Sequence, residues 1–172
     1  MQFYFLTQLV IYDILVTGNN TSGGKMETTF ILDFENKITG TYQMYCNQVI
    51  KDKSIYATEI AGSRYENMTF ENVEFNNCTF QSTEFINVKF IDCKFTNCNF
   101  SFSKLIDCNL IACKIENCSF CITNSLNCNF LSCTYIENEW ENSKLAGNFL
   151  DCIIGENELS IVERFIAIEA SS

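Results

Sequence analysis

The sequence contains no histidine and only two arginines, Arg64 and Arg164. The first absence removes Ser-His-Asp and Cys-His arrangements, along with every histidine metal ligand. The second disfavours anion-handling chemistry. No glycine-rich loop leads into a Walker lysine, so the usual phosphate cradle is missing too. The N-terminal apolar run lacks a basic lead-in and is broken by Asp13, so neither a signal peptide nor a membrane span is expected. The expected location is cytoplasmic. Positive charge is scarce: 11 Lys and Arg against 21 Asp and Glu leave a net charge of −10. Direct nucleic-acid binding needs cations that displace counterions from phosphate, and this balance argues against it. Acidity of this kind suits basic partners, or simply solubility.

What is present is a period of five. From Tyr65 to Leu145 every fifth residue is bulky, as in Phe70, Phe75, Phe80, Phe85, Phe90, Phe95 and Phe100, and among these positions only Ser125 is neither apolar nor aromatic. Two residues before each bulky residue stands a slim one, such as Cys78, Thr83, Val88, Cys93 or Cys98. Five residues overshoot one helical turn, and an odd spacing on a straight strand alternates faces, so neither element holds the pattern on one side. It holds if the chain turns a corner in every repeat. The slim and bulky residues, two apart, then point inward from a short strand, and the residue between them points outward.

A second period sets the coil. Ser63, Thr83, Ser103, Thr123 and Ser143 recur every twenty residues, as do Cys78, Cys98 and Cys118, and Cys93, Cys113 and Cys133. Four repeats therefore make one turn of a square coil that rises by about 4.8 Å, the spacing of paired strands. Its interior is a narrow tube filled by side chains.

Runs such as Asn77-Cys78-Thr79-Phe80 and Asn97-Cys98-Asn99-Phe100 resemble the pentapeptide-repeat family, over roughly residues 60–154. The resemblance implies an all-β fold, a right-handed four-sided parallel β-helix, and it leaves function open because fold does not determine function. The division expected is an N-terminal antiparallel β unit over 1–56 that covers the open end of the coil, the β-helix over 57–155, and a short amphipathic α-helix over 156–172. Near the end the register slips, with Ala146-Gly147-Asn148-Phe149 as a four-residue repeat. In the last segment Leu159, Val162, Phe165 and Ile166 lie on one apolar face. That helix either caps the last coil or, as in the topoisomerase-protecting members of the family, joins two subunits into a homodimer.

Nine of the eleven cysteines occupy the slim interior position, where a thiol behaves as a small hydrophobe. The five-residue spacing lacks the close pairs of a zinc site, and the expected reading is packing, with no metal and no cofactor. Cys46 and Cys121 fall outside that rule. The carboxylates Glu137, Glu139 and Glu141 read as a solvated surface, and no catalytic residue is assigned. The residues just after the centres are sorted by face. Ile86, Ile106 and Leu126 stand on one face, and Ile91, Ile111 and Leu131 on the adjacent one. An exposed aliphatic edge of that extent marks a contact surface. The expected function is a non-catalytic protein–protein interaction protein that presents a rigid face to an unidentified partner. The alternative is an acidic DNA mimic that binds a type II topoisomerase, DNA gyrase.

Overall fold

The computed structural model describes residues 41–155, and within them the chain is one parallel β-solenoid of about six turns. Strands are mostly three residues long, from Met44–Cys46 to Ile153–Ile154, and each pairs in parallel with the strand about twenty residues on. Arg64 lies against Glu84, Glu84 against Lys104, and Lys104 against Asn124. The twenty-residue recurrence in the sequence is therefore the hydrogen-bonding register of the sheet. No proline interrupts this chain, so no residue lacks the N–H that such a ladder needs.

Four faces follow from the four centres of each turn. Face I carries Ile60, Phe80, Phe100, Phe120 and Trp140, and face II carries Tyr45, Tyr65, Phe85, Leu105, Ser125 and Leu145. Face III carries Ile50, Phe70, Phe90, Leu110, Phe130 and Phe149, and face IV carries Ile55, Phe75, Phe95, Ile115, Tyr135 and Ile154. Like centres stack from rung to rung: Phe75 on Phe95 at 5.0 Å, Phe80 on Phe100 at 4.8 Å, and Phe120 on Trp140 at 4.5 Å between ring centroids. Neighbouring faces meet edge to face, as Phe75 does with Phe80 and Phe90 with Phe95. That geometry suits the ring quadrupole and fills the tube. Among the described residues no ligand-sized interior remains.

The corners are made by left-handed backbone. Among the described residues, the second residue after each centre but Leu145 has φ near +55°, in Asn67, Asn72, Asn77, Asn87, Asp92 and Asn97 among others. Asn and Asp tolerate this region best after glycine, which explains their recurrence there. Their amides also run along the coil, Asn87 donating to Asn67 at 2.7 Å and Asn72 to Asp52 at 2.7 Å. At the corner leading from face I to face II the turn is closed by its own hydrogen bond, Ser103 N–H to Phe100 O at 3.1 Å and Thr123 N–H to Phe120 O at 3.0 Å.

Two expectations need correction or completion. The sequence places residues 44–56 in an antiparallel unit, but Met44–Cys46 and Val49–Tyr56 pair in parallel with Arg64–Glu66 and Thr69–Asn76. The coil is therefore already under way at Met44. Gln43, Gln48 and Lys53 stand in the slim positions of this first described turn, and their size hides it. The rest of the N-terminal unit, and the C-terminal helix with Leu159, Val162, Phe165 and Ile166, lie outside the described residues. The register slip is present: Ser125 pairs with Leu145, whereas Cys128 pairs with Gly147 and Phe130 with Phe149. One rung is thus nineteen residues long. Ser125, the polar centre, sits at this irregularity and donates to the Ala146 carbonyl at 3.1 Å.

Candidate interaction surface

Each three-residue strand turns its middle residue inward and its two outer residues outward, so every face carries two outward ladders. On face II these are Arg64, Glu84, Lys104, Asn124 and Lys144 on one side, and Glu66, Ile86, Ile106 and Leu126 on the other. On face III they are Thr69, Lys89, Asn109, Asn129 and Asn148, and Glu71, Ile91, Ile111, Leu131 and Leu150. The six aliphatic residues singled out in the sequence thus form two columns on adjoining faces, each column flanked by a polar one. Ile86, Ile91, Ile106, Ile111 and Leu131 are half-buried between their neighbours, while Leu126 is 54% exposed. The shortened rung extends the face III column to Leu150, 58% exposed. Counting by twenties from Leu131 lands on the corner residue Asp151 instead and so overlooks it.

Polar ladders run beside these columns and on face IV. Glu84 receives Lys104 at 2.9 Å and Arg64 at 3.7 Å, and Arg64 also meets Glu66 at 3.0 Å. Lys114 binds Glu116 at 2.7 Å on face IV, and this bond holds the Glu116 carboxyl below its ordinary range. Exposed pairs of this kind contribute little to stability, but they cancel charge along the rod. Asn129 donates to Asn109 at 2.9 Å and Asn148 to Asn129 at 3.0 Å, a neutral ladder beside the aliphatic column of face III.

Glu137, Glu139 and Glu141 are exposed. Glu137 is a corner residue with φ of 54°, and Glu139 lies outward on face I next to Ser119. A shallow depression lined by Asn97, Cys98, Asn99, Asn117, Cys118, Ser119, Glu137 and Glu139 is polar and open. Among the described residues no group of three or more Cys, Asp or Glu side chains is placed to hold a metal ion. No helix among them is long and apolar enough to cross a membrane.

All eleven cysteines are free thiols. Eight are buried, and Cys46, Cys121 and Cys152 are partly exposed. Cys152, a slim residue by position, is partly exposed all the same. Inside, the thiols have a bonding role that their volume alone does not convey. The S–H of Cys93 reaches the Phe70 carbonyl at 3.4 Å, that of Cys113 the Phe90 carbonyl at 3.4 Å, and that of Cys128 the Leu105 carbonyl at 3.4 Å. On face II hydroxyls take over, Ser103 to Phe80 O at 2.7 Å and Thr123 to Phe100 O at 2.8 Å. These slim thiols and hydroxyls thereby satisfy buried corner carbonyls in the turn before them, whereas Val73 and Val88 only pack.

Sequence reasoning missed several exposed apolar residues, among them three at left-handed corners. Tyr42, Phe102 and Ile122 are 83%, 50% and 43% exposed, with φ of 60°, 64° and 58°. The available signal was a bulky side chain two residues after a centre, where Asn or Asp is the rule.

Residues 69–101 and 83–120 match the family described as pentapeptide repeats, in eight copies. No curated protein matches the chain. Among solved structures, trypsin-treated QnrB1, described as a plasmid-mediated fluoroquinolone resistance protein, is 11% identical, with 79% of this chain and 93% of that one covered at a TM-score of 0.21. The pentapeptide repeat protein Rfr23 from the cyanobacterium Cyanothece 51142 is 10% identical, with 66% and 85% covered at a TM-score of 0.23. Likenesses this faint add nothing to the pairings described above.

Proposed function

Since residues 69–120 are repeats of the pentapeptide family, we propose that this protein is a non-catalytic interaction protein, a rigid coil that offers outward ladders to a protein partner. The observation that carries this reading is the pair of aliphatic columns Ile86–Ile106–Leu126 and Ile91–Ile111–Leu131 on adjoining faces, in a fold whose interior is already filled by its own centres. Outward aliphatics of this extent leave apolar surface in water without contributing to the core, which fits a surface kept for contact. Rigidity fits as well, because a face held by continuous backbone pairing loses little further freedom on binding.

An acidic DNA mimic acting on DNA gyrase is the second reading, and net charge is its support. The ladders weaken it: Arg64, Lys104 and Lys144 stand on face II, Lys89 on face III, and Lys94 and Lys114 on face IV, so on these three faces no unbroken acidic stripe imitates phosphates.

The test is capture of the partner from the native host, identification by mass spectrometry, and binding to the double variant Ile106→Lys with Ile111→Lys. The expected result is loss of that partner with circular dichroism and melting nearly unchanged. Unfolding of the variant would make the columns part of the core, and undiminished binding by a folded variant would put the contact elsewhere.

A further inference from the structure

Face II departs from local preference where it could easily have conformed. Left-handed backbone suits Asn, Asp and Gly, and a β-branched residue there is a true outlier. Phe102 and Ile122 nevertheless occupy successive rungs of the corner bordering this face, both about half exposed, whereas Gly62, Ser82 and Asn142 fill the same position on other rungs and Tyr42 stands at the start of the described column. Phe102 and Ile122 each go against conformation and hydration together. Across the face, the aliphatic column is most exposed at Leu126, close to the same rungs. Between the two apolar columns runs the ladder Arg64, Glu84, Lys104, Asn124 and Lys144.

A two-fold axis parallel to the strands, midway between the rungs of Lys104 and Asn124, makes this surface complementary to itself. Rungs stack in register, so such a rotation lays each column on its own copy in reverse order. Phe102 meets Ile122 of the second copy, Ile106 meets Leu126, Lys104 meets Asn124, and Glu84 meets Lys144, every contact occurring twice. Moving the axis onto the rung of Lys104 sets that lysine against itself. Moving it between Glu84 and Lys104 sets Leu126 against Glu66 and Phe102 against Ser82. The first placement alone matches both apolar columns and the charges.

We propose that face II is a self-association surface, on which two copies of the coil meet face to face and antiparallel. This rests on the reading of the coil as an interaction protein. It names the occupant of one of the two apolar faces and leaves the column Ile91–Ile111–Leu131 to a different protein. The exposed strained pair Phe102 and Ile122 is then covered at the centre of the contact, where large apolar side chains contribute most to binding.

The experiment is sedimentation equilibrium on the full chain at micromolar concentrations. A dimer is expected. Glu84→Lys and Lys144→Glu should each weaken it about tenfold, because two attractive pairs become repulsive. The combined Glu84→Lys/Lys144→Glu chain should return to near the original affinity. A monomeric parent chain overturns the proposal, as do a dimer indifferent to both single reversals, additive losses in the double variant, and a dimer that separates only with Phe165→Asp. Partner capture sensitive to Ile111→Lys distinguishes the two readings. If it persists while the chain is monomeric, self-association falls and the interaction reading stands. If capture is absent as well, both fall.

Discussion

A slim residue in this coil does two jobs, and cysteine manages both. Its small volume fits between stacked centres, and its S–H reaches a corner carbonyl such as that of Phe90 or Leu105. Alanine would fit but leave the carbonyl unanswered. Asn138 is a revealing exception: its amide donates to the Ile115 carbonyl at 3.1 Å, and its oxygen accepts from the Cys118 N–H at 2.8 Å. The bond between Cys98 and Cys118, together with burial, pushes the Cys98 thiol up to about 12. Cys113 is pushed higher still by its bonds to Cys133 and Cys93 and by burial. Because the thiolate is the reactive form, such thiols are slow as well as hidden. Native alkylation with iodoacetamide, followed by peptide mass spectrometry, is expected to label Cys46, Cys121 and Cys152 first. Rapid labelling of Cys98 or Cys113 in the folded protein would reverse the assignment of inside and outside.

At the scale of the repeat, the corner decides what the sequence can vary. Four positions of each pentapeptide have fixed directions, and the fifth must accept a left-handed backbone, so Asn recurs there and supplies a ladder of amide bonds. Gly62 meets the same demand with φ of +67°, and a Cβ there would also stand 2.5 Å from the Tyr42 ring. Gly147 has a different reason. It fills the slim position of the shortened rung, and an added Cβ would lie 2.3 Å from the Cys128 carbonyl oxygen. That oxygen belongs to backbone held in the sheet and cannot step aside. Gly147→Ala is therefore expected to destabilise by about 1–3 kcal/mol, the usual cost of overpacking. A urea titration monitored by circular dichroism reads this directly, and an unchanged midpoint would mean that the short rung is looser than the register indicates.

Over the whole coil, charge is arranged in rungs rather than stripes. Lys104 and Arg64 flank Glu84, Lys114 meets Glu116, and Lys51 meets Glu71, so acidic and basic residues alternate over distances shorter than the screening length of physiological salt. A net charge of −10 then repels other acidic molecules from afar without imitating a duplex at contact. The full chain at micromolar concentrations is expected to leave the supercoiling activity of DNA gyrase unchanged, and unchanged in its sensitivity to a quinolone. Inhibition or protection in that assay would restore the DNA-mimic reading and would direct attention to the residues beyond 155.

The period of five, the recurrence at twenty and the slip after Leu145 were all legible in the sequence, because each inward position has one neighbour above and one below and tolerates few side chains. Phe75, Phe95 and Cys98 announce their places by type alone. The beginning of the described coil was not legible. Gln43, Gln48 and Lys53 break the slim rule, and only the parallel pairing of their strands with the next turn reveals that they belong to it. The surface was legible in part. Counting by twenties found Ile86, Ile106 and Leu126, but Leu150 joins its column only through a nineteen-residue rung. That Phe102 and Ile122 stand half exposed on left-handed backbone was likewise decided by the tertiary structure. Interior identity follows from local spacing, whereas what an outward residue stands beside depends on how the coils register, and that is set by hydrogen bonds between residues about twenty positions apart.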